Sequence, residues 1–304
     1  MTLLQAIVLG IVQGLTEFIP ISSTAHLVFA SRLVGLYDGV DAALKAEQTT
    51  ATIAVIQLGT LLAVLVYFAR DIINITRAFV VDHLALISPR GAKAGNSSSG
   101  VGGVFGKLSQ DARLGWLVIL GSIPIAIVGL VFKEQIEGTF TKNLWVIATM
   151  MIVVGLLLAL AEWVGKRERS MEKLGIKDAL AVGFAQVLSL IPGSSRSGST
   201  MMGGLFVGQT RETAARFSFL LSIPAIAASG ALELKEAIHK LPDGSFVPLL
   251  VATIVSGAVG YASIWFLLRF LRTHSTGIFI IYRVIVGAAI IFALFGGYIS
   301  ATAS

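Results

Sequence analysis

The chain has 304 residues, of which 55% are hydrophobic and 13% are charged, against roughly 25% charged in an ordinary soluble protein. These proportions exclude a water-soluble fold, and a chain without cysteine cannot form disulfides, zinc ribbons, iron–sulfur clusters or a thiol nucleophile. The net charge of +6 does not indicate a nucleic-acid partner, because the basic residues lie between apolar stretches, as in cytoplasmic loops. We therefore predict an all-α polytopic membrane protein, with residues 1–304 in a single integral membrane domain.

The first apolar stretch is too short to cross a bilayer. Met1 to Thr16 is followed by Glu17, Pro20 and a cluster of hydroxyl residues, so each half covers about 24 Å or less of the roughly 30 Å required. We predict a re-entrant hairpin of two half-helices, whose broken backbone faces protein or a wet cavity. No Lys or Arg precedes Arg32, so we do not expect a cleaved secretory signal.

Six longer runs carry almost no charge and are predicted to be transmembrane helices. They are 48–69, 114–132, 143–161, 217–232, 244–268 and 277–299. The last contains Arg283, which we expect to snorkel to the interface or to pack rather than to face the cavity. Between the first two spans, residues 70–113 are predicted to form a cytoplasmic loop with a flexible Gly/Ser-rich segment at 88–107.

A second broken segment follows the third span. The apolar run 179–191 is stopped by Pro192-Gly193 and a polar run to Thr200, and 201–207 is apolar again. Residues 6–13 align with 179–186, and a one-residue slip then aligns Ser23 with Ser195. Each copy is a hairpin followed by three spans, and three is an odd number, so the second copy starts on the opposite face. The sequence thus predicts an inverted-topology repeat of about 1–165 and 177–300.

The distribution of basic residues gives the predicted orientation. In this arrangement 15 of the 23 Lys and Arg lie on one side of the membrane and 6 on the other, with Arg196 and Arg283 inside. Since cytoplasmic loops are rich in Lys and Arg, both termini and the mouth of the first hairpin are predicted outside the cytoplasm. We expect the cytoplasmic membrane as location, with a site that opens to the extracytoplasmic side.

The first hairpin carries an acid, hydroxyls and an imidazole. Glu17 and Gln13 share a helical face at i, i+4, and such oxygen ligands suit a hard cation such as Mg²⁺; the alternative is a buried Glu that caps the hairpin. His26 follows Ser23 by three residues, a spacing typical of a base beside a nucleophile, although hydroxyls here could simply cap helix ends. Charged residues inside a membrane are expensive, which favours the functional interpretation.

The second hairpin indicates an anion site. Its glycines allow close backbone approach, its hydroxyls can donate, and Arg196 adds a fork suited to phosphate oxygens. The alternative is an arginine that caps carbonyl groups. One residue of the first hairpin and six of the second are expected to bind the anion. They are Ser22, Gly193, Ser194, Ser195, Ser197, Gly198 and Thr200. Hairpins that enter from opposite faces meet near the midplane, so we predict one phosphate site.

These two segments resemble a known family. Residues 13–26, QGLTEFIPISSTAH, resemble the (E/Q)xxxE motif and its Ser/His continuation in the undecaprenyl-diphosphate phosphatases, the bacitracin-resistance family. Residues 192–200, PGSSRSGST, resemble that family's PGxSRSxxT motif. The resemblance implies hydrolysis of undecaprenyl or another polyprenyl diphosphate to the monophosphate and phosphate, which recycles the lipid carrier of envelope polysaccharides such as peptidoglycan.

The resemblance also implies residue roles. Glu17 and Gln13 would bind a divalent cation, Mg²⁺ or Ca²⁺, and Ser23 with His26 would supply attack or proton transfer. Arg196 and the hydroxyl residues of the second hairpin would hold the diphosphate. Gln13 stands where many members have a second Glu, so this chain has fewer anionic metal ligands.

Two other functions fit parts of the pattern. Inverted repeats with broken helices are typical of secondary transporters, and a flippase of a phosphorylated lipid would use the same anion site without a nucleophile. The phosphatidic-acid phosphatase superfamily is disfavoured because His83, His239 and His274 lie in predicted loops without its Lys/Arg-Pro signature. Small residues in the spans predict close helix packing, with a homodimer interface as one option.

Overall fold

The computed structural model describes residues 1–87, 106, 108–132, 143–242 and 244–301. Within these ranges the chain forms eleven α-helices and no β-sheet. Their bounds are α1 Leu3–Phe18, α2 Ser23–Leu33, α3 Ala42–Tyr67, α4 Ala69–Ile87, α5 Gln110–Val131, α6 Leu144–Val164, α7 Ile176–Val187, α8 Arg196–Phe206, α9 Arg211–Lys240, α10 Phe246–Leu271 and α11 Gly277–Phe295. The predicted flexible segment 88–107 lies outside the described residues except for Gly106.

Six of the described helices are long and apolar enough to cross a membrane: α3, α5, α6, α9, α10 and α11. They coincide with the six predicted spans, so the prediction of an all-α, multi-pass membrane protein is confirmed. Three of them begin four to six residues earlier than the uncharged runs. The reason is that a charge marks the edge of the hydrocarbon, whereas the helix continues into the interface; α9, for example, starts at Arg211.

The prediction of a loop over the whole of 70–113 is wrong, because residues 69–87 form α4. Its inner face repeats with a helical period: Ile75 and Phe79 contact the position of Gly115 in α5. One turn further on, the indole Nε1 of Trp116 donates a hydrogen bond of 3.0 Å to His83. The charges along α4 interrupt the apolar run, so a search for uncharged stretches misses this amphipathic helix.

Two pairs of short helices form helical hairpins, α1 with α2 and α7 with α8. The serine before the second helix has a positive φ in both, 77° at Ser22 and 67° at Ser195. Both second helices have 11 residues and are followed after one residue by a positive-φ glycine, Gly35 and Gly208. The backbone therefore matches Ser22 with Ser195, and the predicted one-residue slip that matched Ser23 with Ser195 is wrong.

Close backbone contacts hold each first helix of a hairpin against a span. α1 packs along α10, where a Cβ on Gly14 would lie 2.8 Å from the backbone nitrogen of Gly260. α7 packs along α5, where a Cβ on Gly183 would lie 2.3 Å from the carbonyl oxygen of Gly121. Beside the tip of α1, the rings of Phe18 and Phe219 meet edge-on at 5.3 Å. This core fixes the end of α1 against α9.

Candidate active site

The tips of the two hairpins meet in an ion pair. Nη2 of Arg196, the first residue of α8, lies 2.7 Å from Oε1 of Glu17, in the last turn of α1. The Glu17 residue is 8% exposed, so this carboxylate is largely shielded from solvent. The two charged residues that the sequence predicts at one site are therefore in direct contact.

Two amides complete the surroundings of the Glu17 carboxylate. Nε2 of Gln13 donates to Oε2 at 3.0 Å, as the i, i+4 spacing predicts, and also approaches Thr60 Oγ1 at 3.4 Å. Nε2 of Gln57, from α3, approaches Oε1 at 3.5 Å. Both carboxylate oxygens thus accept hydrogen bonds, which hold the group in a fixed orientation.

The loop before α8 is built by its own hydroxyls. Ser195 Oγ accepts a hydrogen bond of 3.2 Å from the Gly198 amide and so caps α8, which therefore starts at Arg196 although residues 194–200 are all polar or glycine. Ser197 Oγ lies 3.1 Å from Ser195 Oγ and donates to the Ile19 carbonyl of the first loop at 3.4 Å. Ser195 and Ser197 therefore join the two loops.

Two predicted anion ligands make close contacts within the protein. The Thr200 hydroxyl donates to the Arg196 carbonyl at 2.7 Å and contacts Ser218 on α9. Gly193 packs against α6, where a Cβ would lie 2.2 Å from the Ile147 carbonyl oxygen, and its φ is +91°. These contacts fix the loop and the start of α8, and the binding of an anion by both residues stays a prediction.

Buried donors without a partner lie in both loops. The hydroxyls of Ser22 and Ser194 are buried and have no hydrogen-bond partner among the described residues. Ser22 precedes α2 and makes no side-chain cap, so the first amides of that helix are not satisfied by its hydroxyl. Helix N-termini and free hydroxyls of this kind bind anions.

Arg283 on α11 binds both loops at once. Its guanidinium donates to the Pro20 carbonyl of the first loop at 3.3 Å and to the Gly193 and Ser194 carbonyls of the second at 2.9 and 3.0 Å. It also donates to the backbone carbonyls of α6 at Met150 and Met151. Arg283 is 0% exposed, so of the two alternatives expected for it, snorkelling or packing, it packs; the carbonyl-capping role considered for Arg196 belongs to Arg283.

His26 and Ser23 are not hydrogen-bonded to each other. The imidazole Nδ1 lies 2.7 Å from the Ser22 carbonyl oxygen, and Nε2 lies 2.6 Å from the hydroxyl of Tyr282 on α11. Ser23 is half-buried as the first residue of α2, and its hydroxyl makes no hydrogen bond to a described residue. The roles of both residues stay predictions.

A small cleft, with room for about one water molecule, adjoins the Glu17–Arg196 pair. It lies between α1, α8 and α9 and has one carboxylate and one guanidinium in its lining. The rest of the lining consists of hydroxyl and apolar side chains, namely Phe18, Ser197, Ser218, Phe219, Ser222 and Ile226. Charged and apolar groups therefore lie side by side here, as the headgroup and tail of an anionic lipid require.

The model of one protein family, described as bacitracin resistance protein BacA, matches residues 6–289. The chain belongs to this family. It is 50% identical over 295 residues to an undecaprenyl-diphosphatase of Syntrophobacter fumaroxidans, covering 97% of this chain and 98% of that protein. It is 46% identical to undecaprenyl-diphosphatases of Chloroherpeton thalassium, over 99% and 100% of the two chains, and of Mycobacterium marinum, over 98% and 96%.

The side chains of this BacA-family site supply some of the ligands that a divalent cation needs, and not a complete set. Among the described residues, no group of three or more acidic, histidine or cysteine side chains is placed to hold a metal ion. Glu17 supplies one carboxylate, and the side-chain oxygens of Gln13 and Gln57 could join it if those amides turned. Mg²⁺ typically takes one or two carboxylates and completes its shell with water and substrate phosphate, so the donor set fits a cation that shares the substrate's oxygens.

Several site residues were not identified from the sequence. Gln57 is a polar side chain in a long apolar run, a signal that could have marked it. Ser218 and Ser222 are spaced i, i+4 in a span, so they share one face. Tyr282 gave no such signal, because tyrosine is common near membrane interfaces.

Proposed function

We propose that this chain hydrolyses undecaprenyl diphosphate to undecaprenyl phosphate and inorganic phosphate, and so regenerates a lipid carrier for cell-envelope polysaccharides. The observation that carries the proposal is the contact between Glu17 and Arg196 beside a small cleft that apolar side chains also line. Family membership and relatives of 44–50% identity, all named undecaprenyl-diphosphatase, support it.

The two hairpins are re-entrant and belong to an inverted-topology repeat. In support, α1 has 16 residues and α2 has 11, about 24 and 16 Å, less than the roughly 30 Å of hydrocarbon. In the repeat, helices α1, α2, α3, α5 and α6 correspond to α7, α8, α9, α10 and α11. The α1–α10 contact then corresponds to the α7–α5 contact, and the α3–α10 contact to the α9–α5 contact; all four contacts are present. The α3–α9 and α6–α11 contacts each join two corresponding helices. Helix α4 has no counterpart in the second copy.

The site opens to the extracytoplasmic side of the cytoplasmic membrane. Ion pairs gather where α6 ends and α9 begins; they are Glu162–Arg211, Asp178–Arg169, Asp71–Arg216 and Glu212–Arg272. This charge-rich end suits the cytoplasmic surface. The cleft follows α9 from Ser218 to Ile226, away from that end, and so leads towards the opposite face. A homodimer stays a prediction.

The diphosphate replaces the carboxylate as the partner of Arg196. A guanidinium recognises phosphate oxygens in pairs, and the N-termini of α2 and α8 add amides and a positive field. The buried hydroxyls of Ser22 and Ser194 supply donors that otherwise lack partners. Binding of the headgroup therefore satisfies groups that are unpaired in the protein alone and releases one oxygen of Glu17.

Glu17, with Gln13, would hold the divalent cation, Mg²⁺ or Ca²⁺. When bound, such a cation neutralises charge on the phosphoryl group that is transferred. Arg196 stabilises the same charge from the other side. The attacking oxygen is that of Ser23 or of a water molecule, and His26 is the base that accepts its proton; in the first case the imidazole must turn from Tyr282 towards Ser23.

Phosphate release tests the proposal. Purified protein in detergent with undecaprenyl diphosphate and Mg²⁺ or Ca²⁺ is expected to release one phosphate per lipid and leave the monophosphate. Detergent micelles have no second side, so a flippase would release none. Absence of phosphate with either cation would contradict the proposed hydrolysis and favour transport.

A further inference from the structure

His26 is held by two partners from different parts of the chain. Its Nδ1 lies 2.7 Å from the Ser22 carbonyl oxygen, four residues earlier. Its Nε2 lies 2.6 Å from the Tyr282 hydroxyl, 256 residues away, and the two rings stack at 13° with centroids 5.6 Å apart. Both ring nitrogens and the ring face are therefore engaged.

These partners determine where the proton of the imidazole lies. A carbonyl oxygen can only accept, so Nδ1 carries the hydrogen and donates it to Ser22. In the neutral ring Nε2 then has a lone pair, and the phenolic O–H of Tyr282 donates to it. The hydrogen bond made by one nitrogen thus fixes the tautomer, and the bond made by the other fixes the direction of the lone pair.

The position of Tyr282 is itself fixed. The next residue, Arg283, is fully buried and donates to carbonyls of both hairpin loops and of α6. Tyr282 is 40% exposed. Helix α11 therefore presents Tyr282 to His26 with little freedom.

We infer that Tyr282 is a positioning residue for the hydrolysis, which holds His26 as a neutral base with its proton on Nδ1 and Nε2 unprotonated. This inference rests on the proposed function. Tyr282 touches the base and not the phosphate, so it acts through His26. Its hydroxyl keeps Nε2 oriented until the diphosphate enters, when the attacking group takes the place of the phenol.

The test compares Tyr282→Phe, which keeps the stacked ring and loses the hydroxyl, with Tyr298→Phe, a 76% exposed tyrosine whose hydroxyl has no partner among the described residues. We expect Tyr282→Phe to lower kcat about tenfold, the equivalent of one hydrogen bond of about 1.4 kcal/mol, with KM for undecaprenyl diphosphate unchanged. Tyr298→Phe should have the kcat and the KM of the wild type. In a His26→Ala background, Tyr282→Phe should have no further effect.

A second readout does not depend on activity. Nitrogen NMR of histidine-labelled protein, with His26→Gln to assign the signal, should show the Nδ1-protonated tautomer in the wild type and in Tyr282→Phe, with the Nε2 signal of the variant shifted to that of an imidazole nitrogen that accepts no hydrogen bond. An unchanged Nε2 signal together with a wild-type kcat would overturn the inference. If the wild type releases no phosphate, the proposed function fails, while the Nε2 signal still decides whether Tyr282 positions His26.

Discussion

Arg283 is a cation whose partners, among the described residues, are all backbone carbonyls. Its guanidinium is fully buried, and the hydrogen bonds that it donates to the loops at Pro20 and at Gly193 hold the two hairpin tips in register. A lysine has a single ammonium in place of the planar fork and cannot reach all of these acceptors. At the scale of single residues, Arg283 therefore supports the site that Glu17 and Arg196 form.

We expect Arg283→Met to lower the free energy of unfolding by about 3 kcal/mol or more, because each buried carbonyl left without a donor costs about 1 to 3 kcal/mol. The free energy of unfolding of Arg283→Lys should lie between those of Arg283→Met and the wild type. Thermal unfolding in detergent measures the change. Arg272→Met is the control, since the pair of Arg272 with Glu212 is exposed and contributes about 0 to 1 kcal/mol. Equal losses for the two Met variants would contradict the role given to Arg283.

We expect Glu17 to determine how the rate of phosphate release depends on the concentration of a divalent cation. Chelation is expected to stop phosphate release, and Mg²⁺ or Ca²⁺ to restore it. Glu17→Gln keeps the size of the side chain but loses its charge, and we expect kcat to fall about 100-fold, as for loss of one transition-state partner. The cation concentration for half-maximal rate should rise. The idea is wrong if Glu17→Gln leaves that concentration unchanged.

The meeting of two site residues was predictable from the sequence because a charge interrupts an apolar run at each. Glu17 and Arg196 stood out for that reason, and the structure brings them together. The partners of His26 and Arg283 were not predictable, because they depend on how α11 packs beside the hairpin loops, more than 250 residues away from Pro20 and Ser22.

At the scale of elements, the loop before α8 depends on Gly193. Its positive φ is unfavourable for residues with a Cβ, and a Cβ would collide with the Ile147 carbonyl oxygen of α6. Gly39 has a similar φ of +87° but no atom within 4 Å of the position of its Cβ. Substitutions at these two glycines therefore distinguish the cost of backbone strain, which both share, from the cost of a steric clash, which only Gly193 has.

We expect Gly39→Ala to cost about 1 to 2 kcal/mol of unfolding free energy, the cost of a left-handed conformation. Gly193→Ala should cost more and should also lower phosphate release, since the loop must move away from α6. Thermal unfolding and activity measured on both variants decide this. Similar losses at the two positions would show that the close approach to α6 does not matter.

The hairpins were predictable as elements because proline, glycine and hydroxyl residues interrupt apolar runs too short to span. Helix α4 was not predicted, since its apolar face repeats every three to four residues between charges. The start of α8 at Arg196 was not predicted, because residues 194–200 are polar or glycine; Ser195 caps the helix there. Hydropathy alone thus identifies spans better than amphipathic or polar helices.

Across the molecule, each hairpin is held by a span that lies far away along the chain. The first helix of each hairpin packs against one such span, α1 on α10 and α7 on α5. The internal repeat in the sequence predicted that two hairpin tips would meet. It could not predict which spans lie side by side, because small residues such as Gly14 and Gly183 occur throughout the spans and their partners lie far along the chain.

We expect Arg196 to bind the diphosphate of the lipid. To test this, kcat/KM for undecaprenyl diphosphate is measured in Arg196→Met and in Arg216→Met, a matched arginine that pairs with Asp71 away from the cleft. Arg196→Met should lower kcat/KM about 100-fold or more, as for removal of a donor to developing charge, and Arg216→Met less than about threefold. Equal values of kcat/KM in the two variants would show that Arg196 does not bind the diphosphate.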